Sequence, residues 1–225
     1  GLAYDVIANV SNSELQIVAP ITTANQTYLS GQGIISLGSP TVTYRSNAGY
    51  SQLIRALGSE VRIYAGTDNL TPFLTTGYFT IGSNSTVRLL GTGTGNTLTT
   101  TILMFPNAKL QVDENWTVAS IGSSTASFDY RYQTSIAAGK TLTVNYWEQT
   151  QYTGTDSLYY AINRKTGTGK LLYKALPIAA QSSTGPLRVE QGSVEFNLTT
   201  DTTYGCPIVP FSIELYAGTT CTYNS

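Results

Sequence analysis

Thirteen carboxylates and no histidine set the limits on the chemistry open to this chain of 225 residues. Without imidazole there is no histidine-based nucleophile triad, no imidazole metal site and no imidazole proton shuttle. Paired carboxylates could still run glycoside hydrolysis. Glu148, beside Tyr146 and Trp147, is the most site-like acid, because aromatic rings next to a carboxylate suit a sugar. In TLTVNYWEQ, however, Glu148 shares its phase with Leu142, Val144 and Tyr146, which places it just past the buried part of a strand. Asp113 and Glu114 are adjacent, so on a strand they face opposite sides and do not ligate one ion together. No EF-hand spacing occurs. GTGTGN at 91–96 lacks the last glycine of a dinucleotide fingerprint. TGTGK, ending at Lys170, has Leu171 where a phosphate loop needs Ser or Thr, and Arg164 where that loop begins with glycine. Both are expected to be hairpin turns. Together these residues predict a chain that is not an enzyme and holds no metal or cofactor.

Two cysteines, Cys206 and Cys221, are separated by a stretch that can double back as a hairpin. A disulfide between them is expected, closing a loop whose stabilisation is roughly 3 kcal/mol. Free buried thiols are the alternative, and a zinc pair has no further cysteine or histidine to complete it. A disulfide implies an oxidising, extracellular location. Six Asn-X-Ser/Thr sequons, at Asn9, Asn25, Asn69, Asn84, Asn115 and Asn197, agree with export and make N-linked glycans the one attached group expected. Asn9, Asn115 and Asn197 each oppose the apolar phase of their own segment, so their glycans would point to solvent.

Only 11% of residues are charged against 41% hydrophobic, so the surface is largely hydroxyl and amide around a core of ample size. A net charge of −1 and the lack of any basic run argue against nucleic acid and anionic membranes as partners. No apolar run is long enough to span a bilayer. Nothing at the start resembles a signal peptide, and a signal removed before Gly1 is expected.

The elements that would position these residues are strands. Candidates are 41–45, 61–65, 73–81, 86–90, 97–105, 109–121, 127–136, 141–149, 157–163, 171–176, 186–198 and 209–216, with Gly-, Asn- and Pro-rich turns about every ten residues. That rhythm predicts an all-β antiparallel sandwich or barrel. SQLIRAL at 51–57 has helical spacing and is the one expected helix. No repeat of 20 to 50 residues stands out, which argues against a solenoid. Residues 14–225 are expected to form one head domain, preceded by a tail at 1–13.

That tail, GLAYDVIANVS, places Leu2, Tyr4, Val6, Ala8 and Val10 in one phase of a strand. A terminal strand can complete its own sheet or be handed to a neighbour. With a sandwich head, abundant hydroxyl residues, many sequons and few charges, the chain resembles the subunits of archaeal thread filaments, pili joined by donor-strand complementation. The resemblance implies an incomplete, pilin-like sandwich whose groove takes Leu2, Tyr4, Val6, Ala8 and Val10 of the next subunit. A head-to-tail homopolymer at the cell surface follows, with cell surfaces or their glycans as its outside partners. A viral capsid or surface-layer coat protein, or a secreted carbohydrate-binding sandwich, are the alternatives.

Overall fold

A computed structural model of the chain describes residues 4–18, 27–41, 54–57, 60–65, 78–91, 96–123, 131–147, 162–174, 187–197 and 213–224. Its strands, in chain order, are β1 (Tyr4–Ala8), β2 (Glu14–Ile17), β3 (Thr27–Gly31), β4 (Ile34–Leu37), β5 (Ile54–Leu57), β6 (Glu60–Ala65), β7 (Tyr78–Ile81), β8 (Thr86–Gly91), β9 (Asn96–Met104) and β10 (Lys109–Val112). There follow β11 (Trp116–Ser123), β12 (Arg131–Ile136), β13 (Thr141–Trp147), β14 (Ile162–Thr166), β15 (Lys170–Tyr173), β16 (Leu187–Val189), β17 (Ser193–Asn197), β18 (Ile213–Leu215) and β19 (Thr220–Asn224).

Odd-numbered strands form a ten-stranded sheet in sequence order, and even-numbered strands form a nine-stranded one. Each strand is therefore followed in the chain by one in the other sheet, and its hydrogen-bonded neighbour is two strands away. Every pairing described is parallel, as in β1 with β3 and β10 with β12. The molecule is a β-solenoid, and the expected antiparallel sandwich is corrected.

The correction has a physical cause. Parallel sheets are usually covered on both faces and show unbroken apolar runs, whereas alternation marks a sheet with one wet face. Here each sheet turns one face to the core and the other to water, so parallel strands carry an antiparallel signature. In β12, for example, Tyr132, Thr134 and Ile136 are buried while Arg131, Gln133 and Ser135 are not. Nor is there a fixed period to find. Paired residues lie from 19 positions apart, Thr101 with Ser120, to 31 apart, Arg131 with Ile162.

Turns expected to close hairpins instead carry the chain from one sheet to the other. Most of these short corners hold a residue at positive φ: Asn12, Asn84, Asn107, Gly139, Gly167, Gly192 and Gly218. Asn and Gly are the residues that tolerate this left-handed conformation. Gly167 is tightly constrained, with φ +70° and a Cβ that would come 2.2 Å from the Ile136 carbonyl oxygen. Gly167→Ala is expected to destabilise the fold by about 1–3 kcal/mol in urea unfolding, and a change near zero contradicts this role.

Two expected long strands are in fact pairs broken by such corners. The 109–121 segment divides into β10 and β11 around Asp113–Asn115, and 186–198 divides into β16 and β17 around Glu190–Gly192. The expected helix at 51–57 contributes strand β5, and β3, β4 and β19 were not anticipated. Residues 42–45 of the first candidate strand lie outside the described residues.

Between the sheets runs one core cluster, from Ala8 and Leu29 through Val61, Phe79, Leu110 and Trp116 to Val194 and Phe196. Stacking of like on like builds it: Ile35, Val61, Val87 and Leu110 follow one another in register, all fully buried. Segment 1–13, expected to stand apart as a tail, supplies β1 to this layer, with Val6 packed on the core and Ala8 buried.

Candidate functional site: the open ends of the solenoid

In a stacked fold each rung covers the one before it, and the two end rungs lack one neighbour. The large apolar side chains exposed among the described residues lie there: Ile7, Val10, Leu15 and Val18 at one end, Leu215, Tyr216 and Tyr223 at the other. The cause is visible along a single column. Leu15 pairs in register with Ile35, and after seven further rungs the same column ends with Val189 and Leu215. Ile35 and Val189 are fully buried, whereas Leu15 is 42% and Leu215 51% exposed. Burial of these leucines fails only for want of a further rung.

The other sheet repeats this pattern. Val118, Val144, Tyr173, Phe196 and Tyr223 stand in register. Tyr173 and Phe196 stack with centroids 5.3 Å apart, and Phe196 meets Tyr223 at 6.3 Å. Tyr223, the last ring, is 45% exposed. β1 and β2 at one end and β19 and β18 at the other are the outermost strands of their sheets, each with one edge unpaired among the described residues. Such edges are templates for further strand addition. β1 and β19 are each five residues long, so the two edges of the larger sheet match in length.

Charges do not obstruct these ends. Glu14 accepts a hydrogen bond from Ser36 and lies 3.7 Å from Arg62, while Glu214 is bound by Arg188 at 2.5 Å. Along the outer faces Arg62 also pairs with Glu60, Arg88 with Asp113, Lys140 with Glu114, Arg164 with Glu190 and Lys170 with Glu195. Asp113 and Glu114 thus serve separate ion pairs, and among the described residues no acidic or cysteine cluster could hold a metal. Pairs this exposed contribute roughly 0–1 kcal/mol each.

Among the described residues one cation is buried. Lys165 occupies the Leu15–Leu215 column and is fully inaccessible, with Nζ donating to the carbonyls of Gly167, Gly169 and Gln191 at 2.5, 2.6 and 2.8 Å. Three acceptors match the three donors of an ammonium, so the side chain ties two successive corners together. Burial lowers its pKa to about 8. The sign follows: the folded chain resists holding this proton, so below about pH 8 the charge costs stability, and that cost is relieved as pH rises toward the ordinary lysine value. The relief is no more than about 3 kcal/mol, since the carbonyls favour the charged form. Stability measured from pH 8 to 10 is expected to rise in the native chain relative to Lys165→Met; parallel profiles would contradict this.

The residues singled out from sequence fall as follows. Val6 and Ala8 face the core from β1, Val10 is exposed in the corner after it, Tyr4 lies in β1, and Leu2 lies outside the described residues. Cys221 sits in register with Val194 and carries a free thiol, half-buried, whose pKa burial pushes up. The expected disulfide is therefore not formed, and Cys206 lies outside the described residues. Asn9, Asn84 and Asn115 are exposed and Asn197 is half-buried. Asn84 accepts from Asn107, and Asn115 accepts from the Thr141 amide, so both brace corners. Asn25, Asn69 and Glu148 lie outside the described residues. Leu215, Tyr223 and Lys165 were missed. Leu15, Leu215 and Tyr223 carry an ordinary strand alternation, and nothing local marks a strand as terminal. Lys165 shares the phase of Asn163 in INRKT, the only signal that it points inward.

The chain matches no protein-family model, no curated protein and no solved structure. Among the described residues no helix is long and apolar enough to cross a membrane.

Proposed function

We propose that this protein is a structural subunit that polymerises head to tail, the last rung of one copy stacking on the first rung of the next. The observation that carries this is the confinement of exposed large apolar side chains, among the described residues, to the two end rungs, where both sheets also offer open edges. A second copy fits because a solenoid rung is a template for another rung: Leu15 and Ile17 of β2 can cover Ile213 and Leu215 of β18 as any inner rung covers its neighbour. The two joined surfaces are different parts of one molecule, so the contact is heterologous and an open filament results.

This reading keeps the homopolymer implied by the thread-filament resemblance but not its joint, because donor-strand insertion requires a sandwich with a missing strand. An exported filament at a cell surface accords with the exposed sequons at Asn9, Asn84 and Asn115. Negative-stain electron microscopy of the purified chain is expected to show unbranched fibres. Dispersed particles, or closed shells and flat lattices, would overturn the proposal.

A further inference from the structure

The outer face of the even-numbered sheet holds a groove of about 640 Å³ that runs inward from the β18 end. It crosses four successive rungs, bounded by Gln133 and Ser135 of β12, Thr166 and Gly167 at the close of β14, Glu190 and Gln191 after β16, and Tyr216 after β18. Rung spacing makes its length about 14 Å. The Ile136 carbonyl oxygen, 2.2 Å from where a Cβ of Gly167 would lie, leaves no room for a side chain there and keeps that part of the lining low.

Its polar groups are fixed in place. Gln133 Nε2 donates to Thr166 Oγ1 at 2.7 Å, and Gln191 Oε1 accepts from the Gly167 amide at 2.9 Å. Glu190 accepts from Arg164 Nε and Nη2 at 2.7 and 2.8 Å, a two-pronged contact that holds its carboxyl below the usual range. Glu190 thus stays ionised and is not suited to act as a general acid, and among the described residues no second carboxylate lines the groove to share glycosidic hydrolysis with it. The same pairing neutralises Arg164, and the described lining holds no lysine or arginine to draw a phosphate or another anion. Side-chain amides and hydroxyls both donate and accept. Tyr216, 49% exposed, adds an aromatic face at one end.

We infer that this groove binds a neutral oligosaccharide: hydroxyls meet the Gln133, Ser135, Thr166 and Gln191 side chains, and one sugar ring lies against Tyr216. The inference does not rest on polymerisation: its polar contacts are on the sheet face, and Tyr216 is the one lining residue it shares with the exposed end rung.

The isotope-labelled Leu15→Lys chain, altered at the end opposite the groove and expected to stay monomeric, is titrated with cellohexaose, maltohexaose and mannohexaose, with oligogalacturonate and inorganic phosphate in parallel. At millimolar concentration one neutral sugar is expected to shift the Gly167 and Gln191 amides. Tyr216→Ala is expected to weaken that binding about tenfold, and Tyr216→Phe to stay within about threefold of the native chain. The inference is overturned if no neutral sugar moves those amides, if only oligogalacturonate or phosphate does, or if the two Tyr216 variants behave alike.

Discussion

A Leu215→Lys chain is expected to remain a folded monomer at concentrations where the native chain has polymerised. Leu215 ends its column with half its surface in water, so an ammonium there keeps its solvation in the isolated molecule and costs folding about 1 kcal/mol at most. At a rung-to-rung joint the same position is enclosed. The leucine contributes roughly 1.5–3 kcal/mol by burial, and the substituted charge adds a desolvation cost of several kcal/mol. Because each 1.4 kcal/mol is tenfold, association should weaken by about 10³-fold or more. Sedimentation velocity reads the assembly and circular dichroism the fold. A substituted chain that still forms fibres at native concentrations would show that the β18 end is not the joint.

Phe196→Ala should give the largest loss of stability. Phe196 is fully buried between Tyr173 and Tyr223 in the last rungs. Removing a buried ring costs about 3–5 kcal/mol, which for a chain of this length lowers the melting temperature by about 6–20 °C. A solenoid distributes such a loss unevenly, because each rung touches only its neighbours. Hydrogen exchange in Phe196→Ala is therefore expected to quicken in β15, β17 and β19 while β4, β6 and β8 stay protected. Uniform loss of protection would contradict the rung-by-rung account of stability.

The limits of sequence reading here have a definite origin. Apolar alternation in TVRLL and TLTVN was legible and locates β8 and β13 closely, because each strand has one face in the core and one in water. Which strand neighbours which was not legible. A corner such as Gly167–Gly169 and a hairpin turn have the same composition, and both reverse phase. What separates them is the pairing of distant residues, Lys165 with Val189 and not with its near neighbours, and the spacing of such pairs drifts from rung to rung. The ends could not be read for a related reason: Leu215 is an ordinary apolar strand residue like Leu110 and Val189 of its column, and its exposure comes from its place in the last described rung. Lys165 was hidden by its charge, since a lysine in a strand is ordinarily assigned to the wet face.

The most direct test of head-to-tail stacking mixes two chains that each lack one working end. Leu15→Lys blocks the β2 end and Leu215→Lys the β18 end, and each alone is expected to be monomeric. Combined in equal amounts, they should form dimers and nothing larger in sedimentation velocity, because the intact β18 end of one meets the intact β2 end of the other. If the mixture stays monomeric, or if either single variant dimerises through its own intact end, the account is contradicted.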